Sequence, residues 1–206
     1  WANVAAGANV SFDTIGNIVK GDVSELKALT DKKNTDGSQV KVVLISQAGS
    51  EGLDFKNIRQ VHIMEPWYNM NRIEQIIGRT CRNCSHMNLD FAKRNVQIFL
   101  YGTLLRDRQL EAADLYLYRL AERKAIQVGK VSRVLKKVAV DCLLNHDQTN
   151  FIEDNFPKLV NQVLSNKQEI EYQVGDKPYS AICDYMERCD YHCNPDIDIS
   201  EQQVTL

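Results

Sequence analysis

The chain has 206 residues, 44% of them hydrophobic, and a formal net charge of −2, which suits one α/β domain with a smaller attachment and a proper core. It has no apolar run long enough to cross a bilayer and no signal-peptide pattern at its start, and its six cysteines do not describe a secreted disulfide scaffold. The expectation is a soluble, intracellular protein with no membrane partner.

In chain order, Trp1 to Ser11 carries no clear element, Ile15 to Asp22 reads as a strand and Val23 to Asp31 as its following helix. The β-branched run Val40-Lys-Val-Val-Leu-Ile45 predicts a buried parallel strand. It leads into Ser46-Gln-Ala-Gly-Ser-Glu-Gly-Leu-Asp-Phe55, where Gly49 and Gly52 allow a tight loop with accessible N–H groups and Asp54 supplies a fixed acceptor. A second strand, Gln60 to Met64, is followed by Glu65-Pro66-Trp67 and then by Gln75-Ile-Ile-Gly-Arg-Thr-Cys-Arg82. On an α-helix Gln75, Arg79 and Arg82 share one face, while Ile73, Ile76, Ile77 and Thr80 anchor the others. Two guanidiniums on a rigid element suit an anion with several oxygens, such as a nucleoside triphosphate, although a solvated charge face has the same pattern. Strand, glycine loop, strand and helix is how an open α/β sheet presents a site at the carboxyl ends of its strands.

Gln109 to Gln127 and Lys130 to Asn145 read as two helices broken near Gly129. In the second, Val131, Val134, Leu135, Val138 and Cys142 form an apolar stripe expected to pack on the domain. Lys130, Arg133 and Lys137 share a different side, which faces water or phosphates. Residues 119–137 carry seven basic side chains against Glu122 alone, an excess of six, whereas from Glu169 onward nine acidic residues meet only Lys177 and Arg188. A basic middle able to meet a nucleic-acid backbone and an acidic end follow. Asn150 to Ser165 has helical apolar spacing, and Ile170 to Val174 suits a short strand. Cys183, Cys189, His192 and Cys193 are a conceivable zinc set, but their C-x₅-C-x₂-H-C spacing is not that of paired knuckles, so no metal is assigned. Cys81 and Cys84 form a C-x₂-C on the arginine helix. His62 reads as a packed core residue, and His86 and His146 suggest no role.

Ser46 to Phe55 and Gln75 to Arg82 together resemble motifs V and VI of superfamily 2 helicases, in the order and spacing of their second RecA-like lobe, over roughly residues 15–105. Further on, Arg82-Asn-Cys-Ser-His86, Leu89, Arg94-Asn-Val-Gln-Ile-Phe-Leu-Tyr101 and Ala139-Val-Asp-Cys-Leu-Leu-Asn145 resemble the helicases of nucleocytoplasmic large DNA viruses, of the nucleoside triphosphate phosphohydrolase I and early-transcription-factor ATPase type. The resemblance implies a RecA-like three-layer α/β domain with a mainly parallel sheet, incomplete at its N-terminus, over residues 15–107. An irregular segment, 1–14, precedes it, and a mostly helical extension with an acidic, cysteine-containing tail, 108–206, follows. It further implies that Arg79 and Arg82 face the phosphates of an ATP held by another lobe, with Arg82 as the finger on the γ-phosphate. Gln75 would position the triphosphate or the attacking water, Gly52 and Asp54 would touch the nucleotide sugar or link it to Arg79, and Ser46 and Gln47 would meet a DNA or RNA backbone.

No G-x-x-x-x-G-K-[S/T] loop and no acidic Mg²⁺ box occurs in the sequence. ATP and Mg²⁺ are therefore expected on an N-terminal ATPase lobe of the same protein, and this chain is expected to be an inactive piece of a longer helicase or translocase. The resemblance also implies transcription machinery as a partner and, for a virus, host cytoplasm, nucleus or virion as the location. The alternative is a non-catalytic RecA-like module that binds or regulates. The joint presence of Gln75, Arg79 and Arg82 argues against it, since a bare scaffold needs none of them.

Overall fold

The computed structural model describes residues 31–45, 55–106, 110–149, 159–175 and 177–194. They fall into two compact units, one of residues 1–63, 75–100 and 162–170, the other of 64–74, 101–161 and 171–206. The strand and helix expected before Asp31 lie outside the described residues.

In the first unit β1 (Gln60–Ile63) pairs in parallel with β2 (Gln97–Leu100), with Gln60 opposite Gln97 and Ile63 opposite Leu100. Parallel neighbours cannot be joined by a tight turn, and the chain between these two contains helix α1 (Met70–Gly78), the βαβ order of an α/β fold. Strand alternation buries Val61 and Ile63 and turns His62 the other way. His62 is thus not a core residue as expected: it is exposed and stacks on Phe99, with ring centroids 4.7 Å apart. Arg59 fixes the start of both strands by donating to the backbone oxygen and the Oδ1 of Asn95 and to the carbonyl of Val163.

Val40 to Ile45, expected as a buried strand, joins no ladder among the described residues. The buried Asn34 side chain organises the turn ahead of it, accepting from the N–H groups of Gln39 and Val40 and donating to the carbonyl of Val40. A second correction falls on Asn150 to Ser165. Residues 150–158 lie outside the described set, and Leu159–Val163 is strand β3, paired with β4 (Glu169–Gln173). The turn decides this outcome. Asn166 Oδ1 accepts from Gln168 N at 3.0 Å, Lys167 adopts a left-handed φ of 69°, and Leu164 N donates to Gln168 O at 2.8 Å. Such a turn favours pairing of the β-branched Val160 and Val163 over a helix.

The second unit is built on α2 (Ala113–Val138) and α3 (Cys142–Thr149). The helix is not broken at Gly129; it runs through it without interruption for 26 residues. Its buried positions are Ala121, Ala125, Gly129 and Arg133, spaced four apart. A Cβ on Gly129 would sit 1.9 Å from the carbonyl oxygen of Asp184, so the glycine is what lets that backbone in. The expected packing side fails for four of its five residues: Val131, Val134, Leu135 and Val138 are 51–62% exposed, while Cys142, past the end of α2, is buried.

Arg133 needs the same correction. It is buried and does not face water. Its Nε donates to Asp184 Oδ2 at 2.8 Å, its two Nη groups donate to the carbonyls of Cys183 and Asp190 at 2.9 Å each, and its guanidinium lies over Tyr191. Lys136 Nζ reaches Asp184 Oδ1 at 2.7 Å. The conceivable zinc set does not assemble either. Cys183 is bonded to Cys189 and Cys142 to Cys193, His192 is exposed, and no metal-holding cluster occurs among the described residues. His146, for which the sequence suggests no role, meets the Tyr191 carbonyl through Nε2 at 2.6 Å, and Asn194 N donates to Lys137 O at the end of α2. Among the described residues no helix is long and apolar enough to cross a membrane.

Candidate nucleotide-facing site

Helix α1 places Gln75 on an exposed position while Ile73 is almost fully buried and Ile76 and Ile77 are half-buried. The helix then stops at Gly78 instead of continuing through Arg82. Past Gly78 the bonds converge on one carbonyl: the Thr80 hydroxyl donates to the Ile77 oxygen at 2.8 Å and Thr80 N to the same oxygen at 3.0 Å. The N–H of Cys81 takes the same oxygen, and Arg82 Nε donates to Gly78 O at 3.1 Å, closing the helix C-terminus with a cation where the dipole favours one. So Gln75, Arg79 and Arg82 do not share one helical face. Gln75 is helical, whereas the half-buried Arg79 and the exposed Arg82 stand on the turn that follows.

That turn is held firmly. Phe55, the buried last residue of the glycine loop, donates its N–H to the carbonyl of Arg79 at 3.4 Å. Asn57, with a left-handed φ of 59°, donates its N–H to Ser85 O at 3.0 Å. The Ser85 hydroxyl donates to Thr80 O at 3.0 Å and meets His86 Nδ1 at 2.7 Å, while His86 Nε2 lies 2.7 Å from the Ile58 carbonyl. Ser85 and His86 are thus positioning residues that the sequence reading passed over. The signal for them was their place in Arg82-Asn-Cys-Ser-His86, the stretch that resembles viral helicases.

Among the described residues three buried side-chain oxygens lack a hydrogen-bond partner: Asn57 Oδ1, Glu74 Oε1 and the Tyr185 hydroxyl. Glu74, beside Gln75 on α1, is half-buried with Oε1 lacking a hydrogen-bond partner, and desolvation raises its carboxyl pKa above the ordinary carboxylate value. A raised folded-state pKa means the native chain holds this proton more tightly than the unfolded chain. The group therefore favours folding at acidic pH, and that contribution is lost as pH rises through the raised pKa. Glu74→Gln should accordingly raise the melting temperature at neutral pH, with the gain shrinking in acid; thermal unfolding at several pH values checks this, and an equal shift at every pH would refute it.

Ser46, Gln47, Gly52 and Asp54 lie outside the described residues. On α2, Lys130 is exposed and Lys137 half-buried, and they fall on one stripe with the exposed Arg119 and Arg123. Arg119 is partly neutralised by Glu111 at 2.5 Å. The basic stripe is therefore Arg119, Arg123, Lys130 and Lys137, without Arg133.

Residues 20–84 match the family model of the helicase conserved C-terminal domain. The chain carries a helicase C-terminal domain. A protein of Acanthamoeba polyphaga mimivirus named as a candidate ATP-dependent RNA helicase is 37% identical over 134 residues, which is 65% of this chain and 29% of that protein. A candidate helicase of Invertebrate iridescent virus 3 is 29% identical across 84% of this chain and 16% of its own length. Nucleoside triphosphatase I of Choristoneura biennis entomopoxvirus is 24% identical across 82% of this chain and 26% of its own. The helicase domain is thus of the kind found in large DNA viruses, and the chain spans less than a third of each of these relatives. No solved structure matches the chain. The helicase C-terminal domain implies a RecA-like α/β fold; β1 and α1 lie within the matched residues, and β2, parallel to β1, follows them.

Proposed function

We propose that this domain is the second lobe of an ATP-dependent helicase or nucleic-acid translocase and completes an ATP site whose other half is an N-terminal lobe of the same protein. The hydrogen bond from Phe55 N to Arg79 O carries the reading, because it brings the end of the glycine loop onto the arginine turn. Arg79 and Arg82 then meet the β- and γ-phosphates as the two lobes close. Water attacks the γ-phosphorus in line with the leaving ADP oxygen, and the guanidiniums stabilise negative charge building on the equatorial oxygens. Gln75 orients the triphosphate or the water. Gly52 and Asp54 serve the nucleotide sugar.

The described residues supply no converging set of Asp, Glu, His or Cys side chains for Mg²⁺. In this reading the ion sits on the first lobe, where it would neutralise phosphate charge. Ser46 and Gln47 take the nucleic-acid backbone at the loop, and the stripe of Arg119, Arg123, Lys130 and Lys137 offers further phosphate contacts. Opening after hydrolysis shifts the loop along the DNA or RNA strand. In this reading the protein acts in viral transcription, a role that rests on the sequence resemblance to viral helicases.

The test is ATP turnover by the whole protein with and without a single-stranded oligonucleotide. Stimulation that disappears in Arg82→Ala supports the reading. Stimulated turnover unchanged in that variant contradicts it.

A further inference from the structure

The tail segment 183–190 covers cations that α2 would otherwise present. Within the ring closed by Cys183–Cys189, Asp184 and Tyr185 adopt left-handed φ values of 54° and 53°, which β-carbon-bearing residues rarely hold. The Tyr185 hydroxyl is buried with no hydrogen-bond partner. Such a turn persists only because its surroundings enforce it: the cross-link on one side, and Arg133 and Lys136 on the Asp184 carboxylate on the other.

The two disulfides differ in access. Cys142 and Cys193 are both buried, and Cys183 is 1% exposed, but Cys189 is only half-buried and is the sulfur an outside thiolate can reach. We propose that Cys183–Cys189 is a redox clasp: its reduction by a dithiol releases the Asp184 turn and exposes Arg133 and Lys136 to a nucleic-acid backbone. The reductant's thiolate attacks Cys189 Sγ, forming a mixed disulfide and expelling the Cys183 thiolate, which takes up a proton. The reductant's second thiol then displaces Cys189 as a thiol and leaves as a cyclic disulfide, so two electrons and two protons pass to the protein. The nucleic-acid half of the idea rests on the proposed function; the cross-link does not.

The experiment uses the full chain purified without reductant, with native alkylation and mass spectrometry, then graded dithiothreitol. Cys81 and Cys84 should label first, Cys183 and Cys189 at low dithiothreitol, and Cys142 and Cys193 last. In parallel, anisotropy of a fluorescent single-stranded oligonucleotide is followed across a salt series. Opening the clasp adds two phosphate contacts, so the slope of log affinity against log salt should steepen by roughly 1.4, at about 0.7 per contact. Cys183→Ser/Cys189→Ser should show the steep slope without reductant, and Arg133→Gln in that background should remove about half the gain. Alkylation of Cys183 and Cys189 without reductant, or identical slopes in both forms, overturns the clasp and leaves the helicase reading standing. Absence of oligonucleotide binding in both forms overturns the two together.

Discussion

Arg82→Ala in the whole protein is expected to lower nucleic-acid-stimulated ATP turnover by about 10³–10⁵-fold, the range associated with an arginine that stabilises phosphoryl-transfer charge. The size follows from where the charge appears. An exposed surface cation contributes little, but one brought against the γ-phosphate in a closing, water-poor cleft acts on charge that exists only in the transition state. Affinity for ADP should therefore change far less than turnover. Arg82→Lys should recover only part of the rate, since an ammonium lacks the planar fork. The fold should lose far less than turnover does, because the side chain is exposed and its Nε bond to Gly78 O contributes about 1 kcal/mol. Steady-state kinetics alongside thermal unfolding separates the outcomes: equal losses of stability and activity would mean Arg82 is only a helix cap.

Gly129→Ala carries the largest expected effect on stability. In an open helix the change would stabilise by about 1 kcal/mol, because alanine is the better helix former. Here the new Cβ would lie 1.9 Å from Asp184 O and 2.8 Å from its carbonyl carbon, both backbone atoms that cannot swing aside. The 183–190 turn must retreat, pulling Asp184 from Arg133 and Lys136. Breaking a buried ion pair typically costs about 3–5 kcal/mol, so the net loss should be about 3 kcal/mol or more despite the propensity gain. Denaturant unfolding measures it directly. A neutral or stabilised variant would show that the turn does not rest on α2.

The contrast between these two sites explains what the sequence could and could not disclose. Ile73 and Thr80 were legible as anchors from spacing alone, and both are buried. The strands at Gln60 and Ile170 were legible from their short β-rich runs. The helix end was not, because Arg79 to Arg82 keep the helical spacing in sequence while the bonds of the turn converge on the Ile77 and Gly78 carbonyls. On α2 the valine and leucine stripe is the stronger apolar signal, although the buried Ala121, Ala125 and Gly129 have the regular spacing of a close backbone contact. Apolar periodicity ranks faces by transfer energy and is blind to a partner that approaches through its main chain. Arg133 was misread for the same reason: only a partner 50 residues away in sequence turns that cation inward. Cysteine spacing likewise cannot give connectivity, and the partner of Cys193 lies 51 residues upstream.

The central claim is that the turn bearing Arg79 and Arg82 supplies the missing half of an ATP site. Trapping of ADP with aluminium fluoride, which mimics the phosphoryl group in flight, tests it most directly in the whole protein. The account predicts that the unaltered protein retains the ADP–fluoride complex through gel filtration, while Arg79→Ala and Arg82→Ala bind ADP but release the complex. Retention of the complex by both variants, at the level of the unaltered protein, would contradict it.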